Sequence, residues 1–132
     1  MQHLIDELSA GWRAKRALTQ MTLEKLIHEL EQLSPDDKIE NINSPHSYRG
    51  YYCDLAFEKT DSTKTTVREL LTLLKTECLG EEFTGYKGGE FLMDEHTPLW
   101  IATYGGTGMK IMNVVENTVG NYWEFILAED EF

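Results

Sequence analysis

The chain is short of cations, cysteines and long apolar runs, and each shortage excludes something. Lys and Arg number 12 against 23 Asp and Glu, a net charge of −11, and no Lys or Arg occurs between Ile111 and Phe132. A protein that coats a nucleic-acid polymer needs a basic face to displace counterions, so that role is set aside. No apolar stretch approaches the roughly 20 residues that a membrane helix requires. The first residues, MQHLIDELSAGW, carry acids early and lack a continuous apolar segment, so no secretory signal is expected. A soluble cytoplasmic protein is expected. Only two cysteines are present, with no metal-type spacing between them, and both read as buried reduced thiols. Cys53 alternates with Leu55 and Phe57, the pattern of a strand's inner face, and Cys78 continues a helical apolar stripe.

What is present fits one globular domain. The 132 residues are 41% hydrophobic and 11% aromatic, enough for a modest core and too aromatic for a disordered chain. Residues 1–20 read as a helical extension, with Leu4, Ile5, Leu8, Trp12 and Leu18 near a helical period, and 21–132 as the body. Thr22 caps a second helix whose stripe is Leu23, Leu26, Ile27, Leu30 and Leu33, stopped by SPDD at 34–37. KIENI and YYCDLAFE follow as strands. TVRELLTLLKTECLG is the clearest helix: Thr66 and Glu69 form a capping box, Val67, Leu70, Leu71, Leu74 and Cys78 the stripe, and Gly80 the stop. From there the period changes to two, through EFTGY, EFLM, LWIATY, MKIMNVV and NYWEFIL, which suggests a meander. The expected class is α+β, two or three helices packed on a mostly antiparallel sheet.

Two segments carry unusual chemistry. SPHSYRGYYCDLAF places His46, Ser47, Tyr48, Arg49, Gly50 and Tyr51 together ahead of a strand. A guanidinium offers a planar fork of donors suited to phosphate, its face stacks on aromatic rings, and glycine lets a ligand approach the backbone. FTGYKGGEF repeats the recipe with Tyr86, Lys87, Gly88 and Gly89, where successive glycine amides can form an anion-binding concavity. The spacing matches neither a Walker loop nor a dinucleotide fingerprint. YGGTG, beginning at Tyr104, is a third glycine-rich turn. If the three turns share one edge of the sheet, Arg49, Lys87, Tyr86 and Tyr104 ring a small pocket. The plainer alternative is an arginine paired with one of the many acids and a hairpin that needs Gly-Gly. His46, Asp94, Glu95 and His96 lack metal-ligand spacing on one face, and no catalytic residue, metal or cofactor is assigned. Trp100 reads as core. Trp123 and the N-terminal helix suggest burial against another subunit, hence a homo-oligomer.

MTLEKLIHELEQLSPDDKI, SPHSYRGYYCDLAF, TTVRELLTLL and FTGYKGGEFLMDEHTPLW together resemble a family of small bacteriophage proteins, over residues 21–104. The resemblance implies a phage setting, and with it the host bacterial cytoplasm, and it supplies no residue roles. Three functions are then in play. The first is binding of a small phosphorylated, nucleotide-like ligand, in the sharper form the sequestration of an immune-signalling nucleotide to counter host defence. The second is an acidic protein-directed inhibitor that mimics nucleic acid. The third is an enzyme that degrades a nucleotide.

Overall fold

The structure is a computed structural model and describes residues 20–103 and 108–129. The helix expected before Gln20 and the candidate Tyr104 lie outside the described residues. Two helices and nine strands follow in the order β1 (Lys38–Ile39), β2 (Ile42–Tyr48), β3 (Tyr51–Lys59), β4 (Thr65–Thr66), β5 (Glu82–Thr84), β6 (Glu90–Leu92), β7 (Leu99–Ile101), β8 (Met109–Asn117) and β9 (Tyr122–Glu129). Helix α1 (Leu23–Glu31) precedes β1, and α2 (Val67–Glu77) follows β4. Seven strands form one sheet in the order β2-β3-β7-β8-β9-β1-β4, while β5 and β6 make a separate two-stranded sheet. The class is α+β with two helices on a mixed, mostly antiparallel sheet; β3–β7 and β1–β9 pair in parallel.

Both helices start where the sequence says they should. Thr22 Oγ1 accepts from Lys25 N at 3.3 Å, and Thr66 Oγ1 accepts from Glu69 N at 3.2 Å and donates to Glu69 Oε1 at 3.1 Å. Such caps satisfy backbone donors that the first helical turn leaves free. The buried stripes Leu23, Leu26, Ile27, Leu30 and Val67, Leu70, Leu74, Cys78 then cover one face of the sheet, against Leu55, Phe57, Leu99, Ile101, Ile111 and Phe125. Leu71 lies only at the margin of this core. No helix among the described residues is long and apolar enough to cross a membrane.

Three expectations change. The expected meander holds only for β7-β8-β9, because the β5–β6 hairpin leaves the main sheet and β7 returns beside β3. The segment placed ahead of the YYCDLAFE strand is itself largely strand: β2 runs to Tyr48 and β3 starts at Tyr51, so Arg49-Gly50 is the two-residue turn of a hairpin. Gly50 takes φ +99, a region that side chains rarely adopt. Finally, Cys53 is exposed while Cys78 is buried. The register moves from Ser47↔Leu55 to Tyr48↔Tyr51, which leaves Tyr52, Cys53 and Asp54 as an outward bulge of β3. Alternation breaks at a bulge, so the inner-face phase of Leu55 and Phe57 does not extend back to Cys53.

Candidate functional site

In a strand, successive side chains point to opposite faces. Leu99 and Ile101 face the helices, so Trp100 between them faces the other side. Ala56 and Lys110 are its neighbours in register, and His46 pairs with Ala56, so these four positions form one row across the face opposite α1 and α2. Trp100 is only 1% exposed, and the two tyrosines of the β2–β3 hairpin stack on it. The Tyr48 ring stacks on Trp100 at 4.6 Å between centroids, Tyr51 on Trp100 at 5.5 Å, and Tyr48 on Tyr51 at 5.8 Å. Within this three-ring cluster Tyr51 remains 41% exposed.

Hydrogen bonds lock the cluster from behind. Trp100 Nε1 donates to Asp54 Oδ2 at 2.8 Å, and that carboxylate is itself buried. The Tyr48 hydroxyl oxygen accepts from Gly108 N at 2.8 Å, which ties the hairpin to the start of β8. Ser47 donates its hydroxyl to the Tyr52 carbonyl at 2.5 Å, across the bulge. Buried polar groups left without partners are costly, so these bonds fix the rings in place.

The second segment arrives from the other sheet. The five residues 85–89 close β5 onto β6, with Gly85 N donating to Gly89 O and Gly88 N to Gly85 O, both at 2.9 Å. Gly88 and Gly89 both have positive φ. The tip projects Tyr86, 65% exposed, under Arg49: the guanidinium carbon lies 4.2 Å from the Tyr86 ring centroid. One strand further on, Tyr52 stacks on Phe91 at 5.4 Å. Two aromatic contacts therefore join the hairpins, whose motifs lie some forty residues apart.

The chemistry of the cluster is that of planar faces and free cations. Of the two arginines among the described residues, Arg68 is paired with Asp36 at 2.8 Å, while Arg49 has no carboxylate partner. Lys87 forms no ion pair either. Arg49 and Lys87 are thus two exposed cations on adjoining turns with no ion pair among the described residues. A stacked guanidinium spends its face on the ring and keeps its in-plane N–H groups for an anion.

The structure brings together Tyr48, Arg49, Gly50, Tyr51 and Tyr86, with Lys87 next along the tip. It places other candidates differently. Ser47 is buried and its hydroxyl is committed to the backbone, so it serves the hairpin. The Gly88 amide is spent within its own turn and is lost to the expected glycine concavity. His46 is half-buried, with Nδ1 2.8 Å from Ser44 O, which leaves Nε2 as its open nitrogen. The Asp94–His96 segment is a turn, in which Asp94 Oδ1 accepts from His96 N at 2.8 Å. No group of three or more His, Cys, Asp or Glu among the described residues could hold a metal.

Sequence reading missed Asp54, Trp100 and Gly108 as parts of this cluster. Asp54 falls on the polar side of an alternating strand, and Trp100 reads as core, which its burial bears out, with nothing to say which face of the sheet it lies on. A cleft of about 290 Å³ lies elsewhere, lined by Asp36, Asp37, Lys38, Glu116, Asn121, Tyr122 and Trp123. Its lining holds three carboxylates against one lysine, which disfavours an anion. Trp123, expected to meet another subunit, donates from Nε1 to Asp37 Oδ2 at 3.1 Å in this cleft. Comparison of the chain with family models, with curated proteins and with solved structures finds no match.

Proposed function

We propose that the β2–β3 and β5–β6 turns bind a small phosphorylated, nucleotide-like ligand. One observation carries the reading: Arg49 lies over Tyr86 with no carboxylate partner among the described residues, two positions before the partly exposed ring of Tyr51. Arg49 and Lys87 supply charge-assisted hydrogen bonds to phosphate, and the exposed part of the Tyr51 ring stacks a base. The net charge of −11 opposes an anion at long range, but salt screens it within about 8 Å under physiological conditions, so adjacent cations dominate at contact.

The reading is capture: stacking on rings and charge-assisted hydrogen bonds to phosphate need no reacting group. In a phage setting, capture of an immune-signalling nucleotide would counter host defence. That step rests on the resemblance of the two motifs and on no single residue.

Thermal-shift screening against mononucleotides, dinucleotides, cyclic dinucleotides and ADP-ribose derivatives tests the reading. A ligand at 100 times its Kd stabilises the fold by about 2.7 kcal/mol, on the order of 10 °C in Tm for a domain of this size. The shift should vanish in Arg49→Ala and shrink in Lys87→Ala, and the ligand should be recovered intact. Recovery of a cleaved product would make the protein an enzyme. No shift across the panel would sink the proposal and favour the acidic mimic, whose activity would fall on neutralising surface acids and ignore Arg49→Ala.

A further inference from the structure

We infer that Tyr86, expected as a ligand contact, is a positioning residue: it holds the Arg49 guanidinium ready before a phosphate arrives. The inference deepens the phosphorylated-ligand reading and rests on it for the identity of the anion.

A free arginine on an exposed two-residue turn has many rotamers, and fixing one costs on the order of 1–2 kcal/mol of entropy. Arg49 here is held by no carboxylate and lies 4.2 Å over the Tyr86 ring. Gly50 beside it adds no side chain that could support it. The ring is thus the only contact assigned to the guanidinium among the described residues, and it comes from a different sheet. The ring offers no acceptor oxygen to the guanidinium, whose five N–H donors point outward in its own plane. A carboxylate partner would hold the group equally well but consume those donors. The arrangement therefore selects an anion that approaches in the guanidinium plane and presents two oxygens side by side, as a phosphate does. Lys87, one residue beyond Tyr86, adds a second charge on the same tip and favours ligands carrying at least two negative charges.

The ring is itself held. Gly85, directly before Tyr86, has its backbone packed on Phe91, and an added methyl there would meet the Phe91 ring at 2.7 Å. Phe91 in turn stacks on Tyr52 of the hairpin that carries Arg49. Tyr86 is 65% exposed, so its replacement should leave the core intact.

The test has two arms. In the ligand-free protein, the Arg49 Nε–H resonance should be shifted upfield by the ring current, keep that shift in Tyr86→Phe, and lose it in Tyr86→Ala. In titrations with ADP and with inorganic pyrophosphate, Tyr86→Ala should weaken binding roughly 2- to 5-fold, the range of an exposed cation–π contact. Tyr86→Phe should bind as the wild type does. The slope of log affinity against log salt should be unchanged in Tyr86→Ala, because the charges remain, and reduced in Arg49→Ala. An Arg49 resonance indifferent to Tyr86→Ala, or equal affinities in Tyr86→Ala and the wild type, would overturn the positioning role. Failure of the wild type to bind either probe would instead strike the phosphorylated-ligand reading, and the resonance would still decide the role of Tyr86.

Discussion

At Gly108 an added methyl would sit 2.6 Å from the Tyr48 hydroxyl oxygen and 3.0 Å from the Ile101 carbonyl. Neither neighbour is free to give way, since Tyr48 is stacked on Trp100 and Ile101 is in a strand. Gly108→Ala should cost about 1–3 kcal/mol, the range of overpacked sites, and displace Tyr48; urea denaturation with tyrosine and tryptophan fluorescence would register both effects. The two cysteines should also behave oppositely. Burial, then the carboxylates of Glu77 and Glu81, push the Cys78 thiol from 9.0 up to about 12. Cys53, on the exposed bulge, should react with a thiol reagent in the native protein, and Cys78 only after unfolding. The sign of the pH effect follows from proton binding: with a raised folded-state pKa, the unfolded chain binds fewer protons above pH 9, so stability falls as pH rises from about 9 toward 12. Subtracting the profile of Cys78→Ala from that of the wild type isolates this contribution, and a flat difference would contradict it.

The β5–β6 hairpin is an element fastened by rings. It shares no strand ladder with the seven-stranded sheet, and its links to the β2–β3 hairpin include Tyr52–Phe91 and Arg49–Tyr86. Tyr52→Ala should therefore speed amide exchange across Glu82–Leu92 while leaving β8 and β9 protected, and hydrogen-exchange mass spectrometry would resolve the two regions. Equal loss of protection in both would mean that the hairpin is integral to the main core. Elements of this kind mark where the sequence was informative. Helices α1 and α2 were legible because Thr22 and Thr66 cap apolar stripes of helical period, all of it local information. The parallel return of β7 beside β3 was not, because it joins segments more than forty residues apart and parallel pairing leaves no turn signal. The bulge at Tyr52–Asp54 was hidden for a related reason: its cause is the docking of Tyr48 and Tyr51 on Trp100, which no period reveals. At the site, Tyr48, Arg49, Tyr51, Tyr86 and Lys87 were legible as chemistry, and their meeting was not. Asp54 and Gly108 carried no visible signal, since a buried carboxylate and a crowded glycine acquire their roles only from what packs against them.

Over the whole molecule, charge and chemistry are divided. The cleft around Asp37 and Trp123 carries three carboxylates, while the two turns at Arg49 and Lys87 carry cations with no ion pair among the described residues and the exposed rings of Tyr51 and Tyr86. Backbone and aromatic-ring NMR spectra recorded during titration with each nucleotide of the panel would locate the ligand on this map. The account predicts saturable shifts at Arg49, Gly50, Tyr51 and residues 86–89, absent in Arg49→Ala, with Lys38, Glu116 and Trp123 unmoved. Shifts centred on the Asp37–Trp123 cleft, or none at any residue, would contradict it.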